Sequence, residues 1–206
     1  MKNLKFLFTI ILLGFLAISC ELKNSKESNS GALGSSAADK VYIPPGKYDS
    51  FYAFISGGFS GQLSVYGLPS GRLFKIIPVF SVDAEKGYGF NEETKPLLNT
   101  SFGQIPWGDS HHPDISQTNG ELDGRWVYIN ENNTPRIAKV DLSLFETTEI
   151  IEIPNTAGNH SSSYVTENTE YVIAGTRFSI PVPQKDMPIE DYKGNFKGVL
   201  SFLKIN

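Results

Sequence analysis

Histidine is nearly missing from this chain and cysteine almost entirely so: three of one and one of the other among 206 residues. The lone cysteine, Cys20, stands in the N-terminal stretch, so the rest of the chain has no thiol for a disulfide, a thiolate metal site or a cysteine nucleophile. Any metal there must be held by nitrogen and oxygen. Runs of lysine or arginine are also absent and the net charge is −4, which argues against nucleic acid as a partner. No arginine pair precedes the N-terminal apolar run, so nothing points to twin-arginine export. Beyond Lys40 no window carries a helical period long enough to predict a helix.

What is present at the N-terminus reads as an export signal. Lys2 and Lys5 precede the apolar run 6–17, too short for a mature membrane span. The run ends Leu16-Ala17-Ile18-Ser19-Cys20, which resembles a lipoprotein processing site and predicts a signal peptide over 1–20 with lipid on Cys20. The alternative is an ordinary exported protein cut slightly further on. Residues 21–39, rich in Ser, Asn, Lys, Gly and Ala, predict a flexible tether, and folding is expected to begin at Lys40 and run through residue 206.

The body predicts an all-β fold. Apolar residues come in short runs divided by Gly, Asn, Pro and Asp, giving strands over 51–56, 62–66 and 73–79, then 125–130, 136–141 and 146–153, then 171–175 and 196–204. Repeated meanders with unequal insertions predict a partial β-propeller of about two and a half blades, preceded by the signal peptide and tether. The insertions 80–124 and 154–169 are expected to lead to the innermost strand of the next blade, near a central axis.

Two of the three histidines are adjacent in Gly108-Asp109-Ser110-His111-His112-Pro113. Neighbouring side chains on a strand leave on opposite faces, so both rings converge only where the backbone bends, and Gly108 and Pro113 are expected to bend it as a loop. Two imidazoles suit copper or zinc, copper being the better match; equally, they are ordinary loop residues beside a strand end. His160, in the second insertion, would reach the same axis; alone it reads as a loop residue bonded to backbone. Asp109 is close enough to orient a ligating ring, or else it bonds its own turn. Gly57, Gly58 and Gly61 read as a hairpin turn rather than a phosphate cradle. Asp114, Glu121 and Asp123 could suggest an acid–base pair, but Glu121-Leu122-Asp123-Gly124 reads better as a solvated turn before a strand, and Asn119-Gly120 as a turn.

The order Ser56-Gly57-Gly58-Phe59-Ser60-Gly61-Gln62, Val65-Tyr66-Gly67-Leu68-Pro69-Ser70-Gly71-Arg72, Ile77-Pro78-Val79-Phe80 and Gly87-Tyr88-Gly89-Phe90 resembles nitrous oxide reductase. So do the histidine doublet motif, Thr118-Asn119-Gly120-Glu121-Leu122-Asp123-Gly124-Arg125, and Ile153-Pro154-Asn155, from about Lys40 to the last residue. The branch exported without a twin-arginine signal is the nearest. The resemblance implies a seven-bladed propeller with a sulfide-bridged four-copper site, reduction of N₂O to N₂ and water, a periplasmic electron donor and a homodimer. It makes His111, His112 and His160 copper ligands, with Asp109 orienting a ring from behind. It also implies that four further histidine ligands, the calcium site and the cupredoxin domain with its two-copper electron-entry site lie outside these 206 residues. The expectation is then a piece of a longer periplasmic enzyme. The alternatives are a lipid-anchored propeller serving as a binding module, an inactive truncated product, or a mononuclear copper or zinc site.

Overall fold

In the computed structural model of the chain the residues described are 37–83, 92, 95–100, 103–104, 108–160, 163–181, 185 and 187–205. The expected signal peptide with Cys20 and nearly all of the expected tether lie outside the described residues, and Ala37–Val41 forms a short helix. The chain divides after Lys40, and residues 41–206 are one compact unit. Among the described residues no helix is long and apolar enough to cross a membrane.

The unit is a partial all-β propeller built from antiparallel meanders. Strands β1 (Phe51–Ser56), β2 (Gln62–Leu68) and β3 (Leu73–Pro78) form the first sheet. Two short strands, β4 (Asn99–Thr100) and β5 (Gly103–Gln104), make a separate ribbon. The second sheet runs in order through β6 (Ser110–Thr118), β7 (Glu121–Glu131), β8 (Arg136–Asp141) and β9 (Glu146–Glu152). The third comprises β10 (Ser163–Val165), β11 (Tyr171–Gly175) and β14 (Leu200–Lys204), with β12 (Ile180–Pro181) and β13 (Phe196–Lys197) paired beside it as a second ribbon.

Two-residue alternation decides which faces are dry. On β2, Leu63 and Val65 are fully buried while Ser64 and Tyr66, which alternate with them, are not. These residues meet Ile77 of their own sheet, Val79 and Phe80 just after it, and Val127, Ile129, Ala138 and Val140 of the second. The intervening residues Tyr128 and Ile137 point the other way and pack on Val165, Val172 and Ala174 of the third sheet. The second sheet is therefore buried on both faces, each large aliphatic side chain there stabilising the fold by roughly 1.5–3 kcal/mol. The outermost faces are exposed: Phe51 and Ile55 on the first sheet, Tyr164, Leu200 and Phe202 on the third.

The opening strands of consecutive sheets are neighbours, β6 touching both β1 and β10, which is the radial order of a propeller. Side chains fasten these inner strands together. Asp114 Oδ2 accepts the Val165 N–H at 2.8 Å, and Thr169 Oγ1 accepts the Gln117 N–H and donates to the Gln117 carbonyl, each at 2.8 Å.

Several sequence expectations change. The 80–124 stretch is not all connection, because β6 is the second sheet's inner strand and its segment 110–118 carries the histidine doublet. Its composition hid it: Ser, His, Pro, Asp and Gln replace the apolar alternation, since their polar groups serve neighbouring blades. Likewise 154–169 contains β10. The expected strand 196–204 is broken at Gly198, where the Val199 N–H bonds Thr176 Oγ1 and the two halves enter different sheets. Glu121 to Gly124 lies inside β7 rather than in a turn, with Gly124 at φ +67° beside a register shift opposite Ser116. The Asn119-Gly120 turn stands where expected, both residues at positive φ between β6 and β7.

Candidate metal centre

His111 and His112 converge because β6 carries a bulge at that point. Ser110 pairs with Glu131 and Pro113 with Ile129, so two residues on β6 face one, Asn130, on β7. An extra residue in one strand re-aims the side chains that alternation would send to opposite faces. Gly108 contributes closeness: a Cβ there would stand 2.4 Å from Ser81 Oγ, so the chain entering β6 runs against the end of the first sheet. The Gly57–Gly61 turn supports the same point, since the Ser110 N–H donates to the Gly58 carbonyl at 3.0 Å and Ser110 Oγ donates to the Gln62 carbonyl at 2.7 Å.

His160 arrives from the segment that leads into β10. That segment lies against the end of β7: the Asn159 N–H donates to the Glu131 carbonyl at 3.2 Å, and a Cβ on Gly158 would stand 2.2 Å from the Asn132 carbonyl oxygen. Only glycine leaves room for that approach. On its far side the Gly158 carbonyl accepts the Arg177 N–H at 2.9 Å.

The three rings meet as a cluster. Ring centroids are 4.4 Å apart for His111 and His160, 5.0 Å for His112 and His160, and 5.6 Å for His111 and His112. One nitrogen from each lies within 4.8 Å of the others. Two nitrogens on one ion stand at most about 4.2 Å apart, twice a bond of about 2.1 Å. The slightly wider spread suits rings that close further round one ion or serve adjacent metals of one cluster. The donor set fits copper or zinc held by neutral imidazole and has no sulfur to compete.

The surroundings favour a neutral His160 and hold His111 in place. His160 is held below its ordinary pKa, first by burial and then by His111, Arg177 and His112, against an opposing pull from Asp109. A proton-free nitrogen at neutral pH is what a metal requires. Asp109 is fully buried, with its Oδ1 2.8 Å from His111 Nε2, an ion-pair distance without the alignment of a regular hydrogen bond. With Nε2 at the carboxylate, Nδ1 is the His111 nitrogen left for a metal. The other oxygen of Asp109 accepts Asn132 Nδ2 at 2.9 Å, and Asn132 Oδ1 in turn accepts Arg177 Nη1 at 3.1 Å. The carboxylates weighed as an acid–base pair, Asp114 and Asp123, bond elsewhere. Asp123 is tied to Ser116, Thr118 and Arg125 at the β6–β7 corner, and Asp114 to the backbone of β10.

Sequence reasoning missed Asn130, Asn132 and Arg177. Asn130 is fully buried beside the bulge, and Asn132 stands in the bend that follows β7. No family model matches the chain. Known proteins similar to it are nitrous-oxide reductases: that of Pseudomonas fluorescens is 37% identical over 153 residues, covering 74% of this chain and 24% of that protein. The Stutzerimonas stutzeri protein is 37% identical over 145 residues, 70% of this chain and 23% of its own. That of Ralstonia nicotianae is 32% identical over 183 residues, 81% and 28% respectively. The chain spans about a quarter of the length of the curated relatives it matches. Over most of its length it is similar to a segment of nitrous-oxide reductase, as its motifs led us to expect.

Proposed function

We propose that this chain forms part of a nitrous-oxide reductase and supplies His111, His112 and His160 to its copper centre, which we take to be a sulfide-bridged four-copper cluster completed by ligands outside these residues. The observation that carries the reading is the meeting of the chain's only three histidines, two from the bulge in β6 and one from the approach to β10, in a protein otherwise similar to that family. Bound copper would supply the low-valent metal that gives electrons to N₂O, whose reduction by two electrons and two protons leaves N₂ and water.

The chain's own residues do the holding. His111 would bind through Nδ1 while Asp109 fixes its other nitrogen, and Asn132 and Arg177 keep the Asp109 carboxylate in place. The β6 bulge aims the doublet, and the close passage at Gly158 brings His160 to it. Export to the periplasm with lipid attached at Cys20, an electron donor there and pairing of two copies complete the proposal.

Anaerobic copper(I) titration of the exported chain against a chromophoric chelator tests it. The expected result is tight binding abolished in the H111A/H112A/H160A triple variant. Equal retention of copper by both would sink the metal reading and leave a propeller used for binding alone. One equivalent per chain, bound tightly without partners, would favour a single-ion site over a share in a cluster.

A further inference from the structure

The bulge that turns the two histidines together is closed by one side chain. Asn130 is the single β7 residue facing His111 and His112, and it is fully buried. Its Oδ1 accepts the backbone N–H of His112 at 2.7 Å, the donor that the bulge takes out of the strand ladder. Its Nδ2 donates to the carbonyl of Asn159, the residue immediately before His160. One planar amide thus spans the two approaches, with its acceptor end on the doublet's backbone and its donor end on the backbone that delivers the third ring.

We propose that Asn130 is a positioning residue for the metal centre: its carboxamide sets the spacing between the His111–His112 doublet and His160 by bonding the backbone of both. Its identity follows from the chemistry. The amide is the short side chain that offers an acceptor and a donor at opposite corners, whereas aspartate has only acceptors and a hydrophobic residue neither. Removing it leaves a buried N–H and a buried C=O unpaired at the site's two supports. This inference rests on the three histidines acting as ligands, but the geometric part stands on the metal-free chain.

The test therefore has two arms, run on the full chain, Asn130→Asp and a control, Ser116→Ala. The control removes a buried hydroxyl that bonds Asp123 and the Trp126 N–H, away from the histidines. In the first arm, NMR of the metal-free chain reads ring-to-ring nuclear Overhauser effects between His160 and the doublet. They are expected in wild type and S116A and lost in N130D, which keeps the acceptor end but faces the Asn159 carbonyl with another acceptor. In the second, copper(I) affinity is expected to fall at least about tenfold in N130D, as for one lost buried hydrogen bond, and to stay within twofold in S116A. Ring contacts and affinity unchanged in N130D overturn the proposal. A wild type that binds no copper overturns the proposed function instead, and the first arm then decides the inference. Should N130D not fold, the wild-type spectrum still decides: contacts from the Asn130 amide protons to the Asn159–His160 backbone support the proposal, and their absence refutes it.

Discussion

At the scale of single residues, Asp109 offers a direct test of the proposed centre, because its carboxylate is entirely dry and lies between His111 Nε2 and Asn132 Nδ2. Asp109→Asn keeps the shape and an acceptor oxygen but removes the negative charge facing His111. Copper affinity is expected to fall about 10- to 100-fold, as when the partner behind a ligating ring is lost. Chelator competition measures it, and an unchanged value would show that the carboxylate does not act on the ring. Glu131 has a different office. Burial raises its pKa, while Arg136 and Thr134 on the same oxygen pull it down; the group holds the loop after β7 and not a metal.

At the scale of elements, the segment 154–160 is set by its contact with the end of β7. Gly158→Ala would drive a methyl group into the Asn132 carbonyl, so backbone must move; the expected cost is about 1–3 kcal/mol, with His160 drawn away from the doublet. Gly194→Ala, where a Cβ meets nothing within 4 Å, is the contrast and should change the urea midpoint little. If the two variants melt alike, the close passage does not govern this segment. Legibility in the sequence follows the same physics. β1, β8 and β11 were read with correct ends because apolar residues and turn residues mark them. The inner strands β6 and β10 were read as connections, since each gives only one aliphatic side chain to a core, Ile115 and Val165, and the rest of their pairing with the next blade is polar. The histidine convergence was foreseeable from scarcity and from the need for a bend. The bend itself was assigned to glycine and proline in a loop, and it lies in a bulge whose partner, Asn130, left no mark in local sequence.

Across the whole molecule, stability should respond to acid through carboxylates at the strand corners. Burial alone would raise Asp49 and Asp123, but Arg72 with Ser70, and Arg125 with Ser116 and Thr118, more than offset it and hold both below the ordinary 3.8; Ser143 does the same for Asp141. Each group is depressed in the folded chain, so its contribution is complete above the unfolded value and is lost as pH falls through the folded one. The urea midpoint should therefore drop once pH passes below about 4, and a midpoint that rises there would contradict the assignment. Glu131 acts in the opposite sense, because a raised carboxyl costs stability as pH climbs through its range. The second sheet, sealed on both sides, has one further consequence. Either flanking sheet can peel away while the middle one keeps half its cover, so amides of β7 and β8 should be the last to take up deuterium, opening only when the entire unit does. The histidine doublet is borne by the sheet that outlasts its neighbours, and His160 by the approach to one that lets go earlier.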